Sequence, residues 1–244
     1  ALITASLAIS LPFLLLINVK GSIDSSSGHL LQQTIEGLKY TSTNPSLRIL
    51  FTVSIVMEML GFAFLVMVPV MAKNVLQVDA LGMGFLQAGV GAGMFVGTLF
   101  MATKGDSLNK PRIVFLNALG AGITLIIFAF SRSLPLSVFL AGAVMAFLNV
   151  YDLTLGVLIQ LVAPPNMRGR AVSLHSLAIS FTAVGGFVMG GIGSIVGVPV
   201  MIATGGIGIV INAIFRRRAI LTVHEYNQRV ENSVDTLAPT GDDI

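Results

Sequence analysis

The sequence predicts an all-α fold, a polytopic membrane helix bundle with seven transmembrane helices. Three observations carry that expectation. Hydrophobic residues make up 55% of the 244 positions and charged residues only 10%, with a mean hydropathy of +0.91. A soluble domain carries about 25% charged residues, because its surface must stay wet. Seven separate apolar runs each approach the roughly 20 residues a helix needs to cross about 30 Å of hydrocarbon. The Lys and Arg residues fall in the breaks between those runs, and they crowd into alternate breaks.

The first run, residues 2–19, opens at Ala1 with no charged stretch before it and no clear small-residue cleavage motif after it. It reads as a truncated transmembrane helix that the chain enters part-way, rather than as a secretory leader. Residues 20–46 are the longest connection. Gly21 to Gly28, rich in serine, reads as a flexible linker. Beyond it Leu31, Ile35 and Leu38 recur at i, i+4 and i+7, with Gln32, Gln33, Glu36 and Lys39 turned elsewhere. That spacing predicts an amphipathic helix lying at the membrane surface or against the bundle, stopped by Asn44-Pro45.

Six further spans follow, at about residues 47–72, 81–103, 112–131, 134–162, 171–196 and 198–216, so that 47–218 forms a six-helix block. Little more than Gly197-Val198-Pro199 separates the last two, which predicts a tight hairpin. Residues 219–244 end in Gly241-Asp242-Asp243 and are too polar to span or to build a core. They read as a tail.

Orientation follows from the basic residues. One set of breaks holds Lys20, Lys39 and Arg48, then Lys104, Lys110 and Arg112, then Arg168 and Arg170, and finally Arg216, Arg217, Arg218 and Arg229; the opposite set holds only Lys73 and Arg132. Cytoplasmic loops retain positive charge, so the C-terminus is expected inside. The net charge of +3 and pI near 9.5 therefore mark topology. They form no patch of the kind that grips nucleic acid, and no nucleic-acid partner is expected. The absence of cysteine excludes disulfides, thiolate zinc sites and cysteine nucleophiles.

Small residues repeat at helical spacing in two places. Gly89, Gly93 and Gly97 recur every four residues in one span, and Gly186, Gly190 and Ser194 do so in another. Such stripes let two helix backbones approach where van der Waals packing replaces the missing hydrophobic drive. They suit either a static contact or a seam that slides during a transport cycle.

Two carboxylates lie well inside the spans. Charge at the bilayer centre costs at least about 2.5–3.5 kcal/mol, so such groups are neutralised, paired or turned toward a cavity. Glu58 falls near the middle of its span, with Ser54 at i−4 and Gly61 at i+3 sharing its face. It is the first candidate for carrying a coupling proton, against the plainer role of partner to another buried polar group. Asp152 belongs to a strip of Gly142, Asn149, Asp152, Gly156 and Gln160 that reads as one wall of a hydrated cavity, bordered by Tyr151. Its position toward the cytoplasmic end also suits a structural role.

Enzyme signatures are missing. His29 and His224 lie in polar segments and His175 just inside a helix start, without metal-ligand spacing. No nucleophile elbow, phosphate loop or dinucleotide fingerprint occurs. Neither a metal nor an organic cofactor is expected, a proton gradient being the energy source.

Several local stretches resemble the C-terminal half of a major facilitator transporter, particularly the branch that includes the enterobactin exporter and macrolide-efflux-like proteins. Ile35 to Tyr40 with Asn44-Pro45-Ser46-Leu47-Arg48 is similar to the central-loop helix that leads into transmembrane helix 7. Gln160, Pro164, Arg168, Gly169 and Arg170 resemble the loop between helices 10 and 11. Gly105-Asp106 followed by Lys110 and Arg112 looks like a weakened copy of the basic signature between helices 8 and 9. The resemblance runs from Ala1 to about Arg218. It implies that the seven runs are helices 6–12, with five N-terminal helices of the same protein missing. It implies too that substrate sits between two six-helix halves, and that Asp106, Arg168 and Arg170 take part in cytoplasmic gating.

By that analogy the expected activity is proton-driven export of a small amphipathic molecule such as a drug or siderophore, with import of a sugar or metabolite as the alternative. A seven-helix receptor also fits the number of spans. A retinal protein, however, would need a lysine in residues 198–215, and a signalling receptor usually shows an external cysteine pair; both are lacking. A membrane-embedded enzyme is disfavoured by the missing polar constellations.

Overall fold

The computed structural model describes residues 41, 43–164 and 167–222. The expected first span, the amphipathic helix over 29–40 and the tail beyond 222 lie outside them. Within them the chain is helical throughout and forms six helices long and apolar enough to cross a membrane. These are α1 (Pro45–Asn74), α2 (Ala80–Lys104), α3 (Lys110–Ala129), α4 (Leu134–Val162), α5 (Arg168–Val196) and α6 (Val198–Phe215). Each coincides, within a few residues, with one of the six later apolar runs.

Local chemistry sets the helix starts. Asn44 caps α1, its Oδ1 accepting from the backbone N–H of Ser46 and Leu47 at 3.0 and 3.3 Å, with Pro45 in the first turn. Asp79 caps α2 by accepting from Gly82 N–H at 2.9 Å, and Asn109 caps α3 by accepting from Arg112 N–H at 3.1 Å. Polar caps followed by proline satisfy amides that the helix itself leaves unpaired. The hairpin between α5 and α6 turns on Gly197, whose φ of 95° suits a residue without a Cβ.

Packing is tightest in a layer where α4 lies between α2 and α3, and α6 lies against α3. A Cβ on Gly93 would overlap the carbonyl oxygen of Gly142, and one on Gly97 would sit 2.9 Å from Ala146 O. The Gly89–Gly93–Gly97 stripe is thus a backbone-to-backbone contact between α2 and α4. The interior is filled by Phe64, Phe128, Leu125, Met145 and Leu148, all fully buried or nearly so. Phe64 meets Phe128 edge-on with ring centroids 6.1 Å apart. Outside, Phe187 and Phe215 are 86% and 84% exposed, a surface that suits acyl chains and not water.

Two helices are irregular. Helix α1 contains a π-helical turn at Glu58–Phe62, in which Ala63 N–H reaches back to Glu58 O at 3.2 Å. Helix α5 is interrupted at Ser180, between an α-helical stretch of Arg168–Ile179 and another of Phe181–Val196. The two irregular levels face each other: the π-turn packs on the second stretch of α5, where a Cβ on Gly185 would overlap the carbonyl oxygen of Met59.

Candidate functional site

Ser54 and Glu58 stand one turn apart on the inner face of α1, and they are 1% and 3% exposed. Thr182 of α5 donates its hydroxyl hydrogen to Glu58 Oε2. The carboxyl group therefore has a partner from a neighbouring helix, as a carboxyl at membrane depth requires. The π-turn that begins at Glu58 widens the backbone here, a local device that recurs at functional sites in helices.

A second chain of contacts starts on α4. Asp152 Oδ1 lies 3.2 Å from His175 Nε2 on α5, and His175 Nδ1 lies 3.3 Å from Ser54 Oγ on α1. With Nε2–H donated to Asp152, Nδ1 of a neutral imidazole accepts from the Ser54 hydroxyl. Gly156, one turn beyond Asp152, gives the ring room: its Cβ would be 3.7 Å from His175 Cδ2 and Nε2. His175 and Thr182 are seven residues apart on one face of α5, so both contacts are made by a single side of that helix.

Asp152, His175, Ser54, Glu58 and Thr182 thus tie α4, α5 and α1 together inside the bundle. Measured along the helices from the end that carries the basic loops, His175 lies about 10 Å in, Ser54 and Asp152 about 15 Å, and Glu58 and Thr182 about 20 Å. The side chains form a polar ladder from the edge of the hydrocarbon to its middle. The order Ser–His–Asp also occurs in hydrolases. Here the serine is buried, at 1% exposure. Carboxyl, imidazole and hydroxyl groups joined in this way can bind a proton and pass it along hydrogen bonds.

The other residues singled out from the sequence take separate places. Gly61 turns away from Glu58 because of the π-turn, and a Cβ there would press on Leu148 Cδ2 and Met57 Sδ. Tyr151 lies close enough to both Asp152 and Glu58 to feel their charge. It is 2% exposed and helps line a small crevice with Val53, Met57, Ala118, Ile209 and Asn212. Asn149 faces α2, where Thr98 Oγ1 donates to its Oδ1 at 3.1 Å. Gln160 folds back on its own helix and donates to Gly156 O at 3.2 Å. Of the second glycine stripe, Gly186 packs against Val66, while Gly190 and Ser194 line a cavity.

At the basic-loop end, Asp106 sits in a 3-10 turn, Gly105–Ser107, and Lys110 Nζ donates to Gly105 O at 2.5 Å. Arg168 and Arg170 open α5; Arg170 reaches Met167 Sδ at 3.4 Å. Sequence reasoning missed His175 and Thr182. Their shared helical face was a usable signal for both, as was the need of two carboxyl groups at membrane depth for partners.

A family profile described as transmembrane secretion effector, of the major facilitator transporters, matches residues 10–238. No curated protein and no solved structure matches the chain.

Proposed function

From a chain that belongs to the transmembrane secretion effector family of major facilitator transporters, we propose a proton-coupled exporter of a small amphipathic molecule, working by alternating access. In this reading α1 to α6 are helices 7–12 of the complete transporter, one six-helix half, and residues 1–19 are the last helix of the other half. Residues 20–46 are the cytoplasmic link between the halves, and residues 219–244 are a cytoplasmic tail. Five further helices of the same protein complete the substrate site. The branch is that of the enterobactin exporter and macrolide-efflux-like proteins, and the setting is a bacterial inner membrane.

The observation that carries the coupling role is the polar ladder. A carboxyl group in mid-membrane, hydrogen-bonded to a helix that is itself broken at that level, gives a proton a binding place between two irregular helices. His175 and Asp152 supply the route by which that proton leaves toward the cytoplasmic end. Proton arrival at Glu58 changes what Thr182 is bonded to, and so changes how α1 and α5 hold each other. That makes proton movement and helix movement one event, as antiport requires.

The test is transport by the complete protein in sealed vesicles, using a fluorescent amphipathic dye with and without an imposed pH gradient. Glu58→Gln keeps the shape and removes the titrating group. It is expected to abolish gradient-driven accumulation while leaving downhill exchange. Unchanged accumulation with unchanged pH dependence would remove Glu58 from the mechanism.

A further inference from the structure

The glycine spacing in α5 predicts one packed stripe through Gly186, Gly190 and Ser194, and the structure ends the packing at Gly186. A Cβ on Gly186 would sit 2.6 Å from Val66 Cγ2; one on Gly190 would meet only the terminal methyl of Met67, at 3.6 Å. The space left is a cavity of about 430 Å³ between the ends of α1, α5 and α6 that lie opposite the basic loops. Met67, Val70 and Val198 give it apolar walls, while Asn74, Ser194 and Arg132 bring the polar groups.

Arg132 is one of two basic residues on this side of the bundle among the described residues. It is exposed, and it makes no ion pair among the described residues. A guanidinium beside an apolar cavity is matched by a ligand with an acidic head and a greasy body. The planar fork of Arg takes a carboxylate or a phosphate through two parallel N–H groups. The volume falls in the range of about 300–1,000 Å³ usual for small-molecule sites.

We propose that this cavity binds an amphipathic anion, with its carboxylate or phosphate on Arg132 and its apolar portion against Met67, Val70 and Val198. The site is separate from the polar ladder and does not rest on proton coupling. Two sources share the chemistry: an acidic lipid of the adjoining leaflet, and a soluble organic acid.

The experiment uses the complete protein in nanodiscs of neutral lipid and follows the fluorescence of 11-(dansylamino)undecanoate, with its methyl ester as the uncharged control. The anion is expected to bind about tenfold more tightly than the ester. Arg132→Gln erases that preference, Arg132→Lys keeps part of it, and Gly193→Leu, which fills the cavity, weakens both probes. Equal binding of anion and ester by the unaltered protein, or an Arg132→Gln protein that still prefers the anion, would overturn the proposal. Arg132 is exposed in a connecting segment, so its substitution leaves folding intact even if Gly193→Leu does not. Displacement of the probe by nanodiscs containing phosphatidylglycerol supports the site and assigns it to lipid. Retention of the probe there supports it and assigns it to a soluble acid.

Discussion

Thr182 donates its hydroxyl hydrogen to the Glu58 carboxylate at the level where both helices that carry them depart from regular α geometry. Helix α1 widens into its π-turn from Glu58 onward, and α5 breaks at Ser180, two residues before Thr182. Irregular turns lose some backbone hydrogen bonding, and inside a membrane no water replaces it. Their coincidence with the polar contact makes this level the natural place for the two helices to shift against each other.

Thr182→Val removes the donor and keeps the shape of the side chain. Glu58 is then left without that partner, a situation that costs on the order of 1–3 kcal/mol for a buried group. The expected outcome is a fall in transport of about tenfold with a displaced pH profile, whereas Thr182→Ser restores both. Transport rates in vesicles measured across pH 5–9 decide it. A valine variant with the parental profile would reduce the contact to packing.

His175 and Asp152 act as a pair and predict non-additivity. Their side chains are 11% and 29% exposed, so the pair is only partly screened by solvent. Asp152→Asn and His175→Asn each lower the thermal stability of the detergent-solubilised protein, and the double variant falls short of the sum by about 1 kcal/mol. Additive losses would show that the 3.2 Å contact contributes nothing as a pair.

The fold was far more legible than the site. Each span is announced by an apolar run of sufficient length, and Asn44-Pro45, Asp79 and Asn109-Lys110-Pro111 mark helix starts in plain chemistry. Glu58 and Asp152 stood out by the cost of their burial. Gly61, though, was placed beside Glu58 by counting 3.6 residues per turn, and the π-turn between them breaks that count. The extra residue in one turn leaves no trace in apolar periodicity. His175 resembles any histidine near a helix start until α4 and α1 are brought to its two ring nitrogens, which is a matter of tertiary packing.

The α2–α4 contact predicts a contrast between two glycines of one helix. A Cβ on Gly93 would overlap the Gly142 carbonyl, whereas one on Gly91 meets nothing within 4 Å. Gly93→Ala forces the helices apart and is expected to destabilise the protein by about 1–3 kcal/mol. Gly91→Ala is expected to be neutral, or to stabilise by up to about 1 kcal/mol through helix propensity. Thermal unfolding in one detergent, with both variants side by side, checks the difference.

Topology can be read by labelling a single introduced thiol, since these 244 residues hold no cysteine and any elsewhere in the complete protein are replaced by serine. Gln77 is exposed in the connection after α1, and Ser107 is exposed in the basic connection after α2. In the proposed orientation, with positive charge retained on the cytoplasmic side, Ser107 lies inside and Gln77 outside. With Gln77→Cys, a membrane-impermeant maleimide added to intact cells is expected to label the protein. With Ser107→Cys it labels only after permeabilisation. The reverse pattern would invert the bundle and put the His175 end of the ladder at the external face. The ladder would then serve proton entry instead of release, and the path assigned to Glu58 would change with it.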